Sequence, residues 1–151
     1  MSFTLTPSSL PSSNEGIAVN QTVEITSGGF GGGAVESITV TRSSIEGTIA
    51  VTTDVGGSSF TITGKYNDNF DKSITYQDSN GATKTATRWK NLEPGYNLIE
   101  KFTPSTGGSV PCTYTVVING TTTLTITQTV TNNGYSGGKE GLVTAVAGGK
   151  Y

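Results

Sequence analysis

The chain of 151 residues contains no histidine and only one cysteine, one methionine and one tryptophan. Each shortage removes a chemistry. Without histidine there is no common general base near neutral pH, no common zinc ligand and no Ser-His pair. A lone thiol, Cys112, can form neither an internal disulfide nor a thiolate metal site, and it lacks its usual activating partner. Charge is scarce too, at 13% of residues. The first seventy residues carry six acidic side chains against two basic, and the remainder five against seven. Neither part is basic enough to predict nucleic-acid binding. No apolar run is long enough to span a bilayer, and MSFTLTPSSL has no basic stretch leading into an apolar core. No membrane association and no signal peptide are therefore expected, and folding in a cytosol fits the cysteine usage. The few carboxylates lie on separate segments without a motif. The chain reads as non-enzymatic, with no catalytic residues, no metal site and no cofactor.

What is present is glycine, threonine and serine in abundance, the composition of a layered β protein whose outward faces stay soluble. The clearest stretch runs from Pro111 to Thr131. Tyr114, Val116 and Ile118 fall on one face of its first arm, and Leu124, Ile126 and Val130 on one face of its second. Alternation of this kind predicts a β-hairpin around Asn119-Gly120. A two-residue turn would set Val116 over Thr123. A three-residue loop sets Val116 over Leu124 and Tyr114 over Ile126, and burial favours that register. Cys112 shares the Tyr114 face and reads as a buried structural thiol.

Other strands are expected at Phe3–Thr6, Ile17–Thr26, Val35–Arg42, Gly47–Thr53, Ser58–Gly64, Ser73–Gln77, Ala82–Trp89 and Leu98–Phe102, with no long helix. The Asn80-Gly81 pair predicts a two-residue turn that sets Tyr76 over Thr85 and Ile74 over Thr87. The polar run Lys65–Lys72 suggests a boundary. Its Asp68 and Asp71 do not complete a calcium loop. The expected organisation is residues 1–70 as one β unit, 71–133 as a second containing the central hairpin, and 134–151 as a glycine-rich arm. Phe30, alone among glycines in Ser27–Gly33, is either a plug or an exposed contact. Leu142, Val143 and Val146 are the apolar residues the arm offers to an interface. Trp89 and Tyr96, with Phe30, are the aromatics that a sugar-binding surface would use.

The segment from Leu10 to Gly29, LPSSNEGIAVNQTVEITSGG, resembles the opening of bacterial immunoglobulin-like repeats. That opening is a Leu-Pro turn, a glycine, then a Gln-Thr-Val strand ending in Gly-Gly. Phe60-Thr61-Ile62-Thr63-Gly64 is similar to the strand that closes such a repeat. The second half, from ITYQDSNGATKTATRW through TYTVVINGTTTLTITQTVTNNG, resembles threonine-rich β units in virion proteins of tailed phages, cyanobacterial phages among them. These resemblances imply an all-β, immunoglobulin-like β-sandwich in a virion, assembled in the host cytoplasm. They imply a capsid decoration or cement protein that contacts the major capsid protein and further copies of itself as a homo-oligomer. A tail or neck component that contacts tail proteins is the alternative. From a different class, a carbohydrate-binding module or adhesin is the third reading.

Overall fold

The computed structural model describes residues 2–28, 34–43, 45, 47–67, 69–88, 91–92, 97–99 and 106–135. Among them the protein is all-β, with eleven strands and no α-helix. The strands are β1 Ser2–Thr6, β2 Ser13–Asn14, β3 Val19–Gly28, β4 Ile38–Arg42, β5 Ala50–Asp54 and β6 Ser59–Gly64. They continue with β7 Asn69–Gln77, β8 Thr83–Arg88, β9 Asn97–Leu98, β10 Thr106–Ile118 and β11 Thr122–Asn133. One four-stranded sheet has the order β1-β3-β6-β5 and another the order β2-β11-β10-β4. A three-stranded sheet, β8-β7-β9, stands between β6 and β10 in sequence.

One apolar core joins the two four-stranded sheets. Val23, Phe60 and Ile62 from the first, and Cys112, Tyr114, Val116, Ile118 and Val130 from the second, have no exposed surface. The second sheet is closed by long-range pairing. β10 runs antiparallel to β4, with Val116 opposite Val40, and β11 runs parallel to β2. The expected split into units 1–70 and 71–133 therefore cuts through this core. The central hairpin shares its sheet and its core with strands from the first seventy residues. What lies between β6 and β10 is the small sheet, which buries Ile74, Tyr76 and Ala86 outside the main cluster.

The main hairpin has the register that burial favours. Val116 opposes Leu124, Tyr114 opposes Ile126, and the pairing closes at Ile118 with Thr122 around a three-residue loop. Asn119 and Gly120 both have positive φ, as a type I′ turn needs, and Thr121 is the extra residue. The second hairpin departs from the expected pairing. Ile74 opposes Ala86 and Tyr76 opposes Lys84, one residue away from the two-residue turn. Asp78 sets this. Its Oδ1 accepts the amides of Asn80 and Ala82, both at 2.9 Å, and its own amide donates to the Ala82 carbonyl. The loop is thus Ser79-Asn80-Gly81, and buried Ala86, not a threonine, joins Ile74 and Tyr76.

The same bonds act on the Asp78 carboxyl. The Ala82 amide above all, then the Asn80 amide and the Lys84 ammonium, hold it below the usual carboxylate range against the opposing effect of burial. A depressed folded-state value means stabilisation that is complete above the unfolded value and is lost as pH falls through the folded one. Acidification below about pH 4 should release the Asn80 and Ala82 amides to solvent exchange. Asp78→Asn should remove that pH dependence. Protection of these amides, measured against their intrinsic exchange rate at each pH, that stays constant down to low pH would show that the carboxylate does not hold the loop.

Ile17, the expected start of the third strand, lies in a turn and is 57% exposed. Its amide bonds back to the Asn14 carbonyl, which delays the strand until Val19.

Candidate functional site

None of the four expected interface residues can be placed. Phe30, Leu142, Val143 and Val146 lie outside the described residues, as do Trp89, Tyr96 and Asp68. Cys112 is fully buried on the Tyr114 face, as its alternation predicts, with its thiol free. Among the described residues no three His, Cys, Asp or Glu side chains come together in a metal-binding group.

Three features of the sandwich stand out. The first is at the hairpin tip. The Asn119 Oδ1 accepts the Glu36 and Ser37 amides at 2.6 and 3.1 Å, and its Nδ2 donates to the Ala34 carbonyl at 2.9 Å. The β10–β11 turn thereby grips the point where the glycine-rich loop returns from β3 to β4. Two demands meet at Asn119, since its φ is 55° and asparagine tolerates that region better than most residues. Asn119→Ala should lower stability by about 2 kcal/mol through lost bonds and strain. Asn119→Gly, which keeps the backbone, should cost less. Equal shifts of the denaturation midpoint for the two would show that φ contributes nothing.

The second is a polar chain inside the core. Tyr66 is fully buried, and its hydroxyl donates to Gln128 Oε1 at 2.6 Å. It must then accept from the Tyr114 hydroxyl, 2.5 Å away. Gln128 Nε2 donates onward to the Pro11 carbonyl at 2.9 Å. All bonds run one way, from Tyr114 through Tyr66 and Gln128 to Pro11, and each donor is used once. Burial is the main reason both phenols ionise only well above the ordinary tyrosine range. This is the chemistry of a satisfied core network that ties β10, β11 and the segment before β2 to the segment just after β6. Gln128 was legible in principle. It occupies an apolar-parity position beside Ile126 and Val130, and a glutamine facing inward needs partners.

The third is the seam where the first strand changes sheets. β1 pairs with β3 as far as Thr6 and Glu24; the chain then turns at a cis Thr6-Pro7 bond and reappears as β2 beside β11. Two grooves flank this crossing. One, of about 270 Å³, is lined by Phe3, Leu5, Ser8, Leu124 and Thr125. The other, of about 260 Å³, is lined by Pro11, Asn14, Ile17, Val19, Gln21 and Gln128 among others. Near the second, Gly16 has a φ of 74°, and a Cβ there would stand 2.8 Å from the Tyr135 ring. The aromatic thus lies against bare backbone. The Glu15 carboxylate is buried and accepts the Asn133 amide at 2.6 Å. Asn132 Oδ1, also buried, has no hydrogen-bond partner among the described residues.

The outer faces of the sheets are covered with threonine. Thr39 and Thr41 on β4, Thr113 and Thr115 on β10, and Thr123, Thr125, Thr127 and Thr129 on β11 share one face without a charged strand residue. Thr113 and Thr127 hydroxyls meet at 3.0 Å, and on the other sheet Thr22 and Thr61 meet at 3.2 Å. Compared with protein-family models, curated proteins and solved structures, the chain matches none.

Proposed function

We propose that the protein is a non-enzymatic structural component of a tailed-phage virion, a capsid decoration or cement protein bound to the outside of the shell in many copies. Its partners in this reading are the major capsid protein and further copies of itself. The observation that carries the reading is the uncharged threonine face of β4, β10 and β11 on a sandwich with a continuous core. Such a face offers methyl and hydroxyl groups at regular spacing, suited to packing against a flat neighbour and not to bond-making chemistry.

The immunoglobulin-like part of the proposal draws support from strand order. β1-β3-β6-β5 against β4-β10-β11 corresponds to A-B-E-D against C-F-G, with the first strand shared between sheets and the small sheet inserted between E and F. The single cysteine departs from the inter-sheet disulfide of antibody domains.

Quantifying the protein in purified particles against the major shell protein tests the proposal. A comparable copy number is the expected result. A number matching a single tail or neck ring would move it to that part of the virion, and absence from particles would overturn the reading. Binding of added protein to particles lacking it, with and without residues 134–151, then tests whether the arm makes the attachment.

A further inference from the structure

We propose that the groove beside the crossing of the first strand is a strand-acceptor site, and that residues 142–147 of the same chain occupy it in the isolated protein. The argument starts from the ladder of β3. The Ile25 amide donates to the Ser58 carbonyl on the β6 side, so odd-numbered residues of β3 face β6. Even-numbered residues therefore direct their backbone groups the other way, towards β1. β1 satisfies Glu24, Thr26 and Gly28 and then leaves. Asn20 and Thr22 follow on the same edge, and among the described residues no strand pairs with them there. The Thr22 carbonyl is instead met by the side chain of its neighbour, Gln21 Nε2, at 3.1 Å. An unpaired edge beside a groove, with exposed Ile17 at its rim, is a template for one more strand.

The occupant follows from where the described chain stops. Tyr135 lies against Gly16, next in sequence to Ile17 at the groove. Residues 136–141, SGGKEG, can extend over roughly 20 Å, enough to follow the chain from Gly16 to the Asn20–Thr22 edge. Leu142-Val143-Thr144-Ala145-Val146-Ala147 then supplies an uncharged strand with apolar groups on either face. A tethered strand reaches this site at a far higher effective concentration than one from another molecule. The site is independent of the virion reading, because it is defined in the isolated protein.

Amide hydrogen exchange read by NMR tests the proposal in the full chain. The Asn20 and Thr22 amides should be protected, and that protection should fall by about tenfold or more in a chain ending at Tyr135. Thr144→Pro and Ala145→Pro, made separately in the full chain, provide the control. One of them removes a ladder donor whatever the phase of the added strand. The Val23 amide, which faces β6, should be unchanged throughout. Rapid exchange at Asn20 and Thr22 in the full chain, or equal protection in all variants, would overturn the proposal. Protection that rises with protein concentration would place the strand in a second copy and overturn the same-chain assignment.

Discussion

Gly64→Ala should destabilise the sandwich by about 3 to 5 kcal/mol, which leaves little of the stability of a small domain. The reason is a close crossing of two backbones. Gly64 ends β6 with a φ of 114°, and a Cβ there would stand 2.3 Å from the Thr48 carbonyl oxygen and 2.8 Å from its carbon. The obstacle is backbone, so no rotamer change relieves it. The neighbouring segment before β5 is held in place, since the Thr48 amide donates to the Lys65 carbonyl at 2.9 Å and Gly47 bridges to Tyr66. Gly47 meets the same obstacle from the other side, with its own Cβ position 2.3 Å from the Lys65 oxygen. Gly120→Ala is the control. Gly120 also has a positive φ, but nothing lies within 4 Å of its Cβ position, so only the backbone strain of about 1 to 2 kcal/mol applies. Denaturant unfolding of the two variants separates contact from strain. Equal losses would show that the crossing at Gly64 relaxes freely.

Tyr66→Ala should cost about 3 to 5 kcal/mol, the range for removing a large buried ring. The side chain has no exposed surface, and its loss also orphans Gln128 Oε1. Tyr66→Phe keeps the ring and should cost about 1 to 3 kcal/mol, the penalty for leaving Gln128 and the Tyr114 hydroxyl without their partner. The network carries a pH signature as well. Both phenols are held neutral in the folded state, so their ionisation is raised relative to the ordinary value of 10.0. Stability linked to them is complete below that value and is lost as pH rises above it, because only the unfolded chain can release those protons. Ultraviolet titration should therefore find two tyrosines that ionise only as the fold is lost. Reversible ionisation of all tyrosines near pH 10 with the core intact would contradict the chain of bonds.

What was legible in the sequence was local and strongly alternating. The Val116–Leu124 register followed because only one parity puts apolar residues on both arms of the hairpin. The same reasoning misplaced the second hairpin. There β8 offers Ala86 as its one apolar residue, and the carboxylate of Asp78 sets the loop. Tyr66 looked like part of a polar connection because its neighbours are polar, although its partners Tyr114 and Gln128 come from far along the chain. The shared core was hidden for the same reason. Pairing of β10 with β4 joins segments some seventy residues apart, and no local pattern records it. The change of sheet at Pro7, and with it the seam groove, is also a product of long-range pairing on either side of one short crossing.

That long-range pairing is the claim on which the rest depends, and cross-strand nuclear Overhauser contacts test it most directly. The Ser43 amide donates to the Thr113 carbonyl and the Asn119 amide to the Ser37 carbonyl, so odd residues of β10 bond towards β4 and even residues towards β11. Close approach of α-protons belongs to the non-bonded pairs. A single sandwich predicts strong contacts between the α-protons of Thr115 and Thr125 within the hairpin, and of Val116 and Val40 across to β4. A Thr115–Thr125 contact without any between Val116 and Val40 would show the hairpin folding apart from the first seventy residues. That would restore two separate units in place of one sandwich.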